Sequence, residues 1–279
     1  MAKFIDPLTD FGFKRIFANE NHKEITIDFL NSILRLNSPI VSIEFQNLEK
    51  SGLNSREKKS IFDIFCIDEN GREFIVELQR ADQKHFVDRS LFYTSKQIVN
   101  MGIKGSWDYE IKPVYFLGIM DFALFPDEKY IRFVSLKDEE NSEITDKLKF
   151  AYVELKKFSK TLQQLEKWEK WLYFLKNLPE IEERIFLEEP FKNAFEIAYY
   201  SNLEGEELVN YEADLKERRD RFAEEMTAKE KGFREGISQG KMVEKLEIAK
   251  ISLRNGLSVE MIATITGLSI SEIESLKKL

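Results

Sequence analysis

The run KPVYFLGIMDF at residues 112–122 carries no charge between Lys112 and Asp121. A strand without a polar face has to be covered on both sides, so this stretch calls for the centre of a sheet with helices packed against it. The flanking segments supply the other elements. Phe13, Ile16, Phe17, Ile25, Phe29, Leu30 and Ile33 recur at helical spacing, with a break at AsnGluAsnHis (19–22), which predicts two helices. SPIVSIEFQNL (38–48) alternates like a strand, and IFDIFCI (61–67) and EFIVELQ (73–79) follow as the second and third strands. Residues 83–101 return to helical spacing before the buried run. KYIRFVSL (129–136) and LKFAYVEL (148–155) extend the sheet at an edge. The expected fold is α/β, a mixed sheet flanked by helices and followed by an all-α C-terminal region.

The second and third strands place Asp63 and Glu77 among Ile, Phe, Val and Leu, and the turn between them decides whether the two carboxylates meet. A two-residue turn at Asn70-Gly71 would put Asp63 opposite Leu78 and Glu77 on the other face. A type I turn favours Asp first and Gly fourth, which matches Asp68 and Gly71. That three-residue loop pairs Asp68 with Arg72 and sets Asp63 opposite Glu77, with Gln79 on the same face. Opposed side chains in such a ladder lie about 5 Å apart at Cβ, so two like charges there repel. A divalent cation removes the repulsion, and Mg²⁺ is satisfied by a few carboxylate oxygens and several waters. Strands at a wet edge would explain the same carboxylates as solvated side chains. The helix after the third strand is expected to carry Arg80, Lys84, Arg89 and Lys96, opposed by Asp82 and Asp88, and it favours the metal reading because it puts a basic face suited to phosphates beside the acidic pair.

Composition narrows the class. One cysteine and two histidines exclude a disulfide framework within the chain and argue against a Cys- or His-built metal centre. The N-terminus, MAKFIDPLTDFGFKRIF, has charges and a proline where a signal peptide needs an apolar core, and no run of about 18 apolar residues occurs. A cytoplasmic protein with no membrane contact is expected. The net charge of −8 requires any nucleic-acid contact to come from a local basic surface.

After residue 159 the pattern is helical. Leu208, Tyr211, Leu215, Phe222 and Met226 approach a heptad seam in a charged stretch, which fits either packing on the chain's own domain or a homodimer or higher oligomer. Gly232, Gly236 and Gly240 suggest a hinge or a close helix approach. The tail VEMIATITGLSISEI has the spacing of a helix-turn-helix, with Ser258 and Ser269 as N-caps and Gly267 at the turn. Glu272 and Glu274 stand where such a helix would approach DNA, so the tail reads better as packing or assembly. The expected division is a core over 1–158, a helical extension over 159–231, and a glycine-spaced hinge with a small helical tail over 232–279.

The order of helix, three strands, helix and strand, with Asp on the second strand and Glu-x-Gln on the third, resembles the PD-(D/E)xK nuclease superfamily and its restriction-endonuclease-like core. DFGFKRIF (10–17), IVELQ (75–79), the helix with Arg89 and Tyr93 leading to PVYFLGI (113–119), ELKKF (154–158), WLYFL (171–175), the spaced glycines and ITGLSISEIESL (265–276) resemble more closely the recombination-promoting nuclease (Rpn) and transposase family. The resemblance implies a metal-dependent DNA endonuclease that hydrolyses phosphodiester bonds in recombination or transposition. It implies Asp63 and Glu77 as ligands of Mg²⁺, or Mn²⁺, and Gln79 where many superfamily members carry a catalytic lysine. Gln79 hydrogen-bonds but carries no charge, so Lys14, Lys59 or Lys96 would have to reach in. Asp10 matches an acidic position of the family's first motif, although an acidic residue also suits a helix N-terminus there. Arg80, Lys84, Arg89 and Tyr93 would contact DNA phosphates. The competing function is a nuclease-fold protein of weak or no activity that acts in DNA binding or assembly.

Overall fold

The structure, a computed structural model, describes residues 3–46, 62–81, 84–102 and 108–276. The chain forms two compact units, residues 1–214 and 215–279. The first unit opens with α1 (Asp10–Phe17) and α2 (Lys23–Leu34), joined by one 3₁₀ turn over Glu20–His22. Then come β1 (Ile43–Phe45), β2 (Ile64–Asp68), β3 (Glu73–Gln79), α3 (Phe86–Asn100), β4 (Val114–Met120), β5 (Ile131–Ser135) and β6 (Leu148–Glu154). Helices α4 (Lys170–Asn177) and α5 (Phe191–Ala198) and the start of α6 (Glu206–Arg254) complete it.

The six strands are ordered β1-β2-β3-β4-β6-β5. The first three are antiparallel, β3, β4 and β6 run parallel, and β5 is antiparallel to β6. Every residue of β4 is buried, as its uncharged run requires. The structure corrects the expected edge: β6 lies inside the sheet between β4 and β5, and β5 alone forms that border. Their burial differs accordingly, with Phe150 to Glu154 buried on β6 while Phe133 and Val134 are exposed on β5.

Helix α3 covers one sheet face, where Phe86 packs with Ile75, Phe116, Phe122 and Tyr152. Gly118 makes this approach possible, because a Cβ there would lie 2.9 Å from the Phe86 ring. The opposite face is buried too, through Phe74, Val76, Leu117, Ile119 and Val153. Beside it the helices share an aromatic cluster in which Trp171 stacks on Phe191 at 4.1 Å and meets Phe17 and Phe29 edge-on. Each such ring contributes roughly 1.5–3 kcal/mol through burial. Trp171 Nε1 donates to Asp28 at 2.7 Å, which satisfies its one polar atom. Thus α4 and α5 belong to the same compact unit as the sheet.

In the second unit α6 runs without interruption through Gly232, Gly236 and Gly240, where a hinge or a close helix approach was expected. A Cβ at any of the three would meet no atom within 4 Å, so no close approach requires them either. Glycine weakens a helix by about 1 kcal/mol relative to alanine, and the Ala, Glu, Lys, Arg, Gln and Met around these positions favour helix enough to carry it through. The unit ends with α7 (Val259–Thr266) and α8 (Ile270–Leu276), which close a small core of Ala249, Ile262, Leu268 and Ile273. Ser258 and Ser269 cap the two helices as their spacing predicts, and Glu272 reaches back to the Ser269 backbone.

Candidate active site

The geometry begins at the hairpin. Gly71 sits at φ +76° and its N–H donates to the Asp68 carbonyl, while the Asp68 N–H donates to the Arg72 carbonyl. Asp68 Oδ1 accepts from the N–H groups of Asn70 and Arg72, and Arg72 Nε donates to Oδ2 at 2.5 Å. The three-residue loop therefore forms as its residues dictate. Its register pairs Ile67 with Glu73 and Ile64 with Val76, so one step further Asp63 comes opposite Glu77. The backbone bends at Asp63, just before β2, and its Oδ2 accepts the Leu78 N–H at 2.5 Å.

Glu77 is buried, 7% exposed, with one carboxylate oxygen 2.9 Å from Arg89 Nη2. Its other oxygen, Oε2, is buried and has no hydrogen-bond partner among the described residues. Burial, and then the charge of Asp63, push the Glu77 carboxyl up to about 8; Arg89 and Lys14 offset part of this. Burial likewise raises Asp63 to about 7, opposed by the Leu78 N–H and Lys14 and reinforced by Asp10, to which it is hydrogen-bonded. Two carboxyls driven this far toward protonation lack positive charge. Glu73 and Glu154 also carry an unpartnered buried oxygen, but Glu77 has a second carboxylate beside it.

The remaining candidates divide. Asp10 and Lys14, paired at 2.6 Å on α1, come to the carboxylates. Gln79 faces the same way, donating through Nε2 to the Ala81 carbonyl and accepting through Oε1 from Arg89 at 2.5 Å. Arg89, expected on a phosphate, turns inward, its guanidinium 5.1 Å from the Phe86 ring centre and 6.0 Å from that of Tyr93. Tyr93 packs on Phe62 at 4.8 Å. Arg80 lies before α3 rather than on it, within ion-pair distance of Asp6 (3.6 Å) and Asp121 (4.0 Å), so it braces the chain. Lys84 is exposed in the turn two residues before α3, and Lys96 lies two turns beyond Arg89 on the helix. Lys59 falls outside the described residues.

The brace on α1 was not foreseen. The Phe11 N–H donates to Asp214 at 2.7 Å, the Asp6 N–H to the Tyr211 hydroxyl at 2.7 Å, and Arg15 pairs with Glu207. These partners lie some two hundred residues away in sequence, and no local pattern announces them. A cleft of about 610 Å³ lined by Asp10, Lys14, Asn19, Asn210 and Asp214 opens beside α1. A second cleft of about 610 Å³, lined by Arg35, Arg72, Tyr115, Phe133 and Lys149, opens toward the sheet face opposite Glu77.

Among the described residues no group of three or more His, Cys, Asp or Glu is arranged to hold a metal ion. Mg²⁺ needs fewer, since it binds through one or two carboxylates and keeps its waters. The unpartnered oxygen of Glu77 next to Asp63 fits that requirement. Among the described residues no helix is long and apolar enough to cross a membrane.

No curated protein and no solved structure matches the chain. The family model described as PD-(D/E)XK nuclease family transposase matches residues 7–228, a span that takes in α1, the whole sheet and α3. The mixed six-stranded sheet flanked by helices, with Glu77 on its inner strand β3, is a PD-(D/E)XK nuclease-like α/β fold, and the chain belongs to the PD-(D/E)XK nuclease family transposases.

Proposed function

We propose that the protein is a divalent-metal-dependent DNA endonuclease acting in recombination or transposition. The observation that carries this reading is the buried, unpartnered Glu77 Oε2 beside Asp63. Asp63 and Glu77 would hold Mg²⁺ or Mn²⁺, which when bound supplies an activated water and neutralises charge at the phosphate. Gln79 orients the site through its amide. Lys14, whose charge reaches both carboxylates, limits their repulsion and is held in place by Asp10. Lys84 and Tyr93 would flank the strand, with Lys96 further along α3. In the hydrolysis the oxygen of water bonds to phosphorus as one bridging P–O bond breaks, and the leaving alcohol takes a proton. We assign this chemistry to 1–158, with the later segments serving support and assembly, in a cytoplasmic setting.

The test is cleavage of plasmid DNA with Mg²⁺ or Mn²⁺ by wild type, Asp63→Ala and Glu77→Ala, with EDTA as control. Metal-dependent cutting lost in both variants supports the reading; equal cutting by wild type and variants refutes it. The absence of a lysine at position 79 favours the second reading, a DNA-binding or assembly protein, which a wild type inert with every divalent metal would support.

For self-association we propose α6. Phe222, Met226, Phe233 and Ile237 are spaced by four, seven and four residues and are 64%, 51%, 69% and 45% exposed. Pairs recurring at eleven residues form a seam suited to a second helix. Sedimentation should show a dimer or larger assembly that Phe222→Glu with Phe233→Glu dissociates; a monomeric wild type overturns it.

A further inference from the structure

Gln79 holds the place of a lysine, and the residue it holds is Arg89. Its Oε1 accepts from Arg89 Nη2 at 2.5 Å, and the same nitrogen lies 2.9 Å from Glu77 Oε1. A lysine has three donors and no acceptor, so it could not receive this bond. Glutamine is therefore the residue that lets a guanidinium settle on β3. The arginine is also fixed from its own helix, with Phe86 and Tyr93 on either side, and Phe86 sits close to the strand because Gly118 leaves room for its ring.

We propose that Gln79 and Arg89 together replace the lysine: α3 delivers the positive charge, and β3 supplies the acceptor that positions it. Lys14 pairs with Asp10 on α1 at 2.6 Å, whereas Arg89 Nη2 lies within hydrogen-bond distance of both Gln79 and Glu77 on β3. Arg89 acts as a positioning residue. It grips Glu77 by one oxygen and leaves Oε2 directed elsewhere. This assignment rests on the endonuclease reading above.

The experiment is a charge-relocation cycle on the full chain: Arg89→Gln, Gln79→Lys and the two combined. Arg89→Gln removes the cation and should lower kcat about 100-fold, the scale of losing one preorganised electrostatic group. Gln79→Lys alone places two cations together and should lower it comparably. The double variant restores one cation at one place, and its kcat should return to within about tenfold of wild type, a non-additivity expected only of coupled residues. DNA affinity in Ca²⁺, with cleavage suppressed, should change less than about threefold across the series. In metal-free protein the double variant should also recover most of the melting temperature lost in the singles.

Three results overturn the assignment alone: wild-type cleavage retained in Arg89→Gln, a double variant no better than the worse single, or loss of DNA affinity with a salt slope shallower by about one, the mark of a phosphate contact. A wild type inert with every divalent metal, or one that cleaves equally without any, overturns the metal-dependent endonuclease reading, and this assignment with it.

Discussion

The two ends of one hairpin treat their carboxylates in opposite ways. At the turn, Asp68 is enclosed and fully engaged, with two backbone N–H groups on one oxygen and Arg72 on the other. Arg72 in turn donates to the Ser38 carbonyl at 2.7 Å. At the open end, half-buried Asp63 lies beside buried Glu77, and one oxygen of Glu77 has no partner among the described residues. Asp68 and Glu77 are both 7% exposed, so burial does not set them apart; the number of donors does. A carboxylate whose lone pairs are all taken contributes to folding, whereas one left short of donors is held at a cost, and that cost points to chemistry.

The largest effect should come from removing the deficient pair. Asp63→Ala or Glu77→Ala is expected to lower cleavage by about 1,000-fold or more while the metal-free protein stays folded, since each change relieves a buried repulsion. Circular dichroism and plasmid cleavage check this together, and an unfolded variant would erase the contrast. Asp68→Ala should do the reverse. It strands Arg72, 8% exposed, and should cost about 3–5 kcal/mol in urea unfolding, with activity following only the folded fraction.

Acid should separate the ends more finely. The folded carboxyls of Asp63 and Glu77 are raised to about 7 and about 8, above their unfolded values, so their contribution is complete at low pH and is lost as pH rises through the folded values. The melting temperature in EDTA should therefore carry a component that falls between about pH 4 and pH 8. Glu77→Gln should flatten it. A Glu77→Gln profile that overlays the wild type would show that these groups do not titrate as described. The smallest effect is expected at the α1 brace, where Asp214→Ala removes one hydrogen bond to Phe11 and should cost about 1 kcal/mol with a few-fold loss of cleavage. Both are read by melting and by initial rates; no change in either would detach the brace from the site.

How much of this was legible depended on distance along the chain. The hairpin register follows from Asp68 and Gly71, because a turn is decided by the residues inside it. The β3 run and the uncharged β4 run announce themselves by composition alone, and β3 has its expected bounds at Glu73 and Gln79. Strand β1 shrinks to three residues, since alternation sets which face a residue takes but not how many find a partner. The place of β6 inside the sheet depends on which earlier strand it meets, which no local pattern encodes. Arg89 was legible as a basic residue near the site, but its inward turn depends on how α3 rotates against Gly118 and Phe116. Arg80 was misassigned to α3 for a related reason: its charge was visible, its partners Asp6 and Asp121 were not.

The brace between α1 and the first turns of α6 also sets an order of events. Asp10 and Lys14 lie near the beginning of the chain, yet the groups that fix their helix, Tyr211 and Asp214, are among the last of the first unit to be synthesised. A nascent chain ending before them carries Asp63, Glu77 and Arg89 but lacks the clasp on α1. The proposed site is thus completed late in translation, and a chain cut short before Tyr211 lacks the groups that fix α1 beside it.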